Sequence, residues 1–190
     1  MSARKGTLTV ISGPMFSNKS GELLRLATVH RIAGRAVALF KHSLDDRYER
    51  PGHISTHGGN SMAAEAVATA LEVSLLATGA GVVAIDEAQF FDDGLAEIAG
   101  QLVAGGTTVL VAGLDRNFKG EPFGPMAALM AMADEVMKLK AVCMSCRSLN
   151  GTMTQRLIDG RPASRSSPII LVGAAEAYEA RCRDCHQVPD

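Results

Sequence analysis

The chain is predicted to be an α/β protein with a mostly parallel sheet and a small metal-held lobe at its C-terminal end. Three observations predict this. Short apolar runs alternate with helix-like segments through the first 140 residues. The first run leads straight into Gly13-Pro14-Met15-Phe16-Ser17-Asn18-Lys19-Ser20, a glycine–lysine–hydroxyl turn of the kind that cradles phosphate between a strand and a helix. Two C-x-x-C pairs, Cys143/Cys146 and Cys182/Cys185, bracket the remainder.

Taken in order, Leu8-Thr9-Val10-Ile11 is short and apolar, as expected of a parallel strand buried on both faces. Residues 21–33 place Leu23, Leu24, Ala27 and Val29 near helical spacing, and Gly34 is a stop signal. Residues 36–40 form the next strand, completing a βαβ unit. Residues 41–60 are polar and turn-rich, a loop leaving the carboxyl end of a strand, where open sheets bind ligands. An alanine-rich helix is expected over 63–77, a buried strand over Val82–Ile85, a helix over 95–103 and a strand over 107–112. Residues 113–124 read as a loop and 126–137 as a helix whose Met126, Leu129, Met130 and Met137 fill a core. After Lys140 the texture turns polar, which places a boundary between a nucleotide-binding domain (1–140) and a second domain (141–190).

Bulk properties narrow the function classes. A net charge of −1 and the lack of a basic, aromatic-interleaved patch argue against nucleic acid as a partner. No apolar run is long enough for a membrane span, and the first one is too short for a signal peptide. A cytoplasmic setting is the expectation, and in a reducing compartment paired cysteines favour metal over disulfide.

In the phosphate loop, backbone N–H groups would bind phosphate oxygens, Lys19 would reach the β- and γ-phosphates of ATP, and Ser20 would bind Mg²⁺. Asn18 stands where the pattern wants glycine; asparagine tolerates left-handed backbone angles and adds no charge. Asp86, ending an apolar strand, is the expected second Mg²⁺ ligand, and Glu87 is a candidate general base. Their neighbours Ala88 and Gln89 are expected to line the ATP site with them. The four cysteines suit a closed, structural Zn²⁺ site. His186 adjoins Cys185 as a competing ligand.

Gly13-Pro14-Met15-Phe16-Ser17-x-Lys19-Ser20, Asp86-Glu87-Ala88-Gln89-Phe90-Phe91, Leu114-Asp115-x-x-Phe118 and Tyr178-x-x-x-Cys182-x-x-Cys185 together resemble the type II thymidine kinases. The resemblance implies a RecA-like P-loop core followed by a zinc-binding lobe with a lasso-like loop. It implies transfer of the ATP γ-phosphate to the 5′-hydroxyl of thymidine or deoxyuridine, with Mg²⁺ and with Glu87 as base. Phe118 and Phe90 then fall at the nucleoside pocket, and Tyr178 on the residue that closes over it. Ile169, Ile170, Leu171, Val172 and Gly173 match the lasso stretch that reads the base edge. Asp45, Asp46 and Arg47 match a motif near the phosphates. A homotetramer is the usual assembly of such enzymes.

Asn18 leaves open a second reading, a nucleotide-binding protein of the same fold with reduced or lost turnover.

Overall fold

The computed structural model describes residues 5–44, 52–55, 61–170 and 176–190. Its centre is a six-stranded sheet built from β1 (Leu8–Ser12), β2 (Val37–His42), β5 (Glu65–Val67), β6 (Val82–Asp86), β7 (Thr108–Gly113) and β8 (Glu135–Lys138). The order is β5-β2-β6-β7-β1-β8, and every pairing within it is parallel. One strand, β7, separates β1, which feeds the phosphate loop, from β6, which ends in Asp86. A parallel sheet needs crossovers, and the helices α1 (Lys19–Ile32), α2 (Ala70–Leu76), α3 (Gly94–Ala104) and α4 (Met126–Met132) lie in those from β1 to β2, β5 to β6, β6 to β7 and β7 to β8.

Strand side chains alternate between faces, so each buried strand feeds two cores. Val83 and Ile85 of β6 and Val109 and Val111 of β7 join Leu95 and Ala99 of α3 and Met126 and Leu129 of α4. Val82 and Ala84 of β6 and Leu110 and Ala112 of β7 join Leu23, Leu24 and Ala27 of α1 on the other side. The two layers account for the near-continuous apolar runs of the strands. A fully buried leucine such as Leu23 contributes about 2 kcal/mol over an exposed one.

The expected helix over residues 63–77 is corrected. Glu65–Val67 is instead the edge strand β5 beside β2, and the helix begins at Ala70. Thr69 caps it: its Oγ1 accepts from the Glu72 N–H (3.3 Å), and Glu72 Oε2 accepts from the Thr69 N–H (2.9 Å). This reciprocal capping box starts the helix at that point. The expected helix over 126–137 likewise stops at Met132. Asp134 Oδ2 accepts the Leu8 N–H (2.8 Å), and residues 135–138 pair with β1 as β8. Sheet pairing overrides the helical propensity of this Met- and Ala-rich segment. Residues 41–60, expected as loop alone, contain β3 (His53–Ser55), which pairs antiparallel with β4 (Ser61–Ala63).

Beyond Lys140 a separate three-stranded antiparallel sheet has β9 (Met153–Ile158) between β10 (Arg161–Pro162) and β11 (Glu176–Arg181). Ile169 and Ile170 lie outside any strand and are exposed. Among the described residues, no helix is long and apolar enough to cross a membrane.

Candidate active site

The phosphate loop joins the carboxyl end of β1 to the N-terminus of α1, where N–H groups lack intrahelical partners. Gly13 and Pro14 are buried, Met15 is half-buried, and Phe16 is exposed at the turn. Ser17 is buried and donates its hydroxyl to the Pro14 carbonyl (2.8 Å), and Lys19 Nζ donates to the same oxygen (2.8 Å). The Met15 N–H donates to Thr154 Oγ1 of β9 (3.1 Å), so the loop is braced by the second sheet.

Asn18 takes the backbone conformation expected for the glycine of such a loop. Its φ of 63° and ψ of 33° are left-handed, and its carbonyl accepts the Glu22 N–H as α1 begins (3.1 Å). Asparagine is one of the few residues at ease there. Its carboxamide lies over Gly21: a Cβ on Gly21 would stand 2.2 Å from Asn18 Oδ1. The glycine that weakens the first helical turn is therefore the one that makes room for Asn18. Gly21→Ala in the native chain must rotate the carboxamide away, offsetting the gain in helix propensity. In an Asn18→Gly background the same change is expected to stabilise. A double-mutant cycle read by thermal unfolding should give a coupling of about 1 kcal/mol; additive effects would show that the carboxamide is not held over Gly21.

Asp86 is buried at the end of β6, where Ser20 and Lys19 of the phosphate loop favour its charged form. The Glu87 N–H donates to Asp86 Oδ1 (2.9 Å). Burial, reinforced by the charge of Glu87, pushes the Asp86 carboxyl up to about 7, against the opposing pull of Ser20 and Lys19. A carboxylate is a hard-oxygen ligand, and the pressure on this buried one to take up a proton is one that a divalent cation relieves. Glu87 is half-buried, with a left-handed backbone (φ 54°, ψ 39°), and starts a single 3-10 turn over Ala88–Phe90. Ala88 and Gln89 are buried within that turn.

Aromatic rings gather beside it. Phe90 meets Phe123 edge-on at 5.7 Å, and the buried His42 meets Phe91 edge-on at 4.8 Å. Phe118 is buried with the Arg156 guanidinium carbon 5.2 Å from its ring centre. Arg156 Nη1 also donates to the Pro168 carbonyl (2.6 Å), at the root of the segment that continues through Ile169 and Ile170. Tyr178 is half-buried on β11, paired with Arg156. Phe123 and Thr154 were not anticipated. Phe123 could have been suspected from its place in the same strand-end loop as Phe118, whereas nothing local marks Thr154. Asp45, Asp46, Arg47, Leu171, Val172 and Gly173 lie outside the described residues.

These motifs occur in one order along one fold, and a family model named thymidine kinase matches residues 6–186. The chain belongs to the thymidine kinase family. The family implies a phosphotransferase acting on nucleoside and nucleotide substrates.

The thymidine kinase chain also carries a cluster of four sulfurs. The Sγ atoms of Cys143, Cys146, Cys182 and Cys185 all lie within 4.8 Å of one another, and Cys146 and Cys182 are 3.7 Å apart. That is far beyond a disulfide bond and close to the roughly 3.8 Å edge of a tetrahedron with about 2.3 Å zinc–sulfur bonds. The neighbouring Cys182 sulfur pushes the Cys185 thiol up to about 12; crowded thiolates of this kind are what a Zn²⁺ charge stabilises. The cluster could hold a zinc ion. His186 is not among its donors: Nε2 lies 2.8 Å from the Phe118 carbonyl instead.

Proposed function

We propose that this thymidine kinase family member transfers the γ-phosphoryl group of ATP to the 5′-hydroxyl of thymidine or deoxyuridine. The observation that carries the reading is the strand order, which leaves only β7 between β1, leading into the phosphate loop with Lys19 and Ser20, and β6, ending in the buried Asp86 beside Glu87. It supports a reading in which the phosphate-binding turn, the Ser20 and Asp86 oxygens and Glu87 work at the same end of the sheet. Lys19 exchanges the Pro14 carbonyl for phosphate oxygens and neutralises their charge. Ser20 and Asp86 would hold the Mg²⁺ that accompanies ATP, which spreads the charge developing on the β- and γ-phosphates. Glu87 accepts the proton of the 5′-hydroxyl as that oxygen bonds to the γ-phosphorus and the bond to the β-phosphate oxygen breaks, releasing ADP.

Phe118 and Phe90 flank the nucleoside, and Tyr178 closes over it. The lasso, Ile169 to Gly173, reads the base edge through its backbone. Asp45, Asp46 and Arg47 act near the phosphates. Residues 1–140 form the nucleotide-binding domain, and residues 141–190 the lobe stapled by a structural Zn²⁺. The protein acts as a cytoplasmic homotetramer. The left-handed backbone of Asn18 supports retained ATP binding, because the loop keeps the curl that glycine would give it.

The test is an assay of purified protein with thymidine and Mg²⁺ across a wide range of ATP. Thymidine 5′-monophosphate and ADP should accumulate in equal amounts. Absence of 5′-phosphorylation at every ATP concentration would overturn the reading.

A further inference from the structure

Gln89 is buried, 2% exposed, and both ends of its carboxamide are engaged. Its Oε1 accepts the backbone N–H of Leu114 (2.9 Å), the residue that follows β7. A backbone N–H can be met only by an acceptor, so the amide orientation is fixed and Nε2 faces the other way. There it donates to Glu87 Oε2 at 2.5 Å. The side chain thus spans two neighbouring strand ends, β6 and β7, with its donor on the acid. Its seat is shaped to fit: a Cβ on Gly113 would stand 2.9 Å from Gln89 Oε1. Glutamine is the residue of this length that donates at one end and accepts at the other; glutamate loses the donor and lysine the acceptor. Glu87 has several side-chain torsions and leaves an unusual left-handed backbone. A base must stay within hydrogen-bond reach of the hydroxyl it serves.

We infer that Gln89 is a positioning residue that holds the Glu87 carboxylate in the orientation needed for phosphoryl transfer, by a bond anchored to the end of β7. The inference rests on the reading of Glu87 as the base.

The experiment measures kcat and both KM values for full-length, zinc-containing Gln89→Met, Gln89→Glu, Glu87→Gln and the Glu87→Gln/Gln89→Met double variant. Gln89→Met should lower kcat by about 10- to 100-fold, with KM for ATP and thymidine changed less than about threefold. Gln89→Glu keeps the acceptor for Leu114, and so the fold, while setting a second carboxylate against Glu87; its kcat should fall at least as far. In the Glu87→Gln background, Gln89→Met should change the residual turnover by less than about twofold, because its effect passes through the lost carboxylate. A wild-type kcat in both Gln89 variants, or losses that multiply in the double variant, would overturn the inference while leaving Glu87 as base. If Glu87→Gln itself turned over like wild type, the base reading would fall and this inference with it.

Discussion

Glu87→Gln is expected to reduce turnover by about 10²–10⁴-fold, with thymidine affinity within about twofold of wild type. The change keeps the size of the side chain and the 3-10 turn that Glu87 begins. It removes the negative charge and with it the ability to accept a proton. Binding should survive because the Phe90 and Phe123 rings beside the turn and the proposed nucleoside contact Phe118 are untouched. Steady-state kinetics with isothermal binding of thymidine separates the two effects. Full activity would remove Glu87 as the base, and a loss confined to KM would make it a binding group.

Removing the metal from the cysteine cluster is expected to abolish thymidine phosphorylation while sparing the six-stranded sheet. Metal analysis should first find about one zinc per chain. Stripping it with a chelator, or Cys182→Ser, leaves three or four crowded sulfurs with no charge to organise them. The damage then has a short path to Phe118. His186 follows Cys185 directly and bonds the Phe118 carbonyl, while Cys182 follows the end of β11. Limited proteolysis should release peptides from beyond residue 140 and leave a resistant core. Retention of activity in a zinc-free chain would show that the lobe stands on its own packing.

The core was legible where local pattern and tertiary environment agree. Leu8 to Ile11 and Val82 to Ile85 are short, apolar and flanked by turn residues, and both are buried central strands. The errors arose where a long-range partner decides the structure. Alanine and methionine suggest a helix through residue 137, but β1 lies alongside and takes Glu135–Lys138 as a strand. The false helix over 63–77 had a local remedy, the Thr69-x-x-Glu72 capping box, which marks the true start. At the site, Lys19, Ser20, Asp86 and Glu87 stand out because motif spacing encodes their neighbourhood. The lock between Gln89 and Leu114 joins residues 25 apart in sequence, and no periodicity announces it. The pairing of Asn18 with Gly21 lies within one helical turn, yet it needs the direction of a side chain, which spacing does not give.

The strand order has a consequence for biosynthesis. β1 precedes the other described strands in the chain, but its neighbours in the sheet are β7 and β8, about 100 residues or more further along. Until those are made, Leu8 to Ser12 has no strand to pair with, and the turn after it has no fixed base. The Met15 brace waits longer still, for Thr154. β2 and β6, by contrast, can pair within the first half of the chain. The strand that carries Asp86 can therefore pair during synthesis before the strand that leads into the phosphate loop does. A nascent chain halted before residue 108 should bind no nucleotide, and its apolar N-terminal segment is the one that chaperones would be expected to shield.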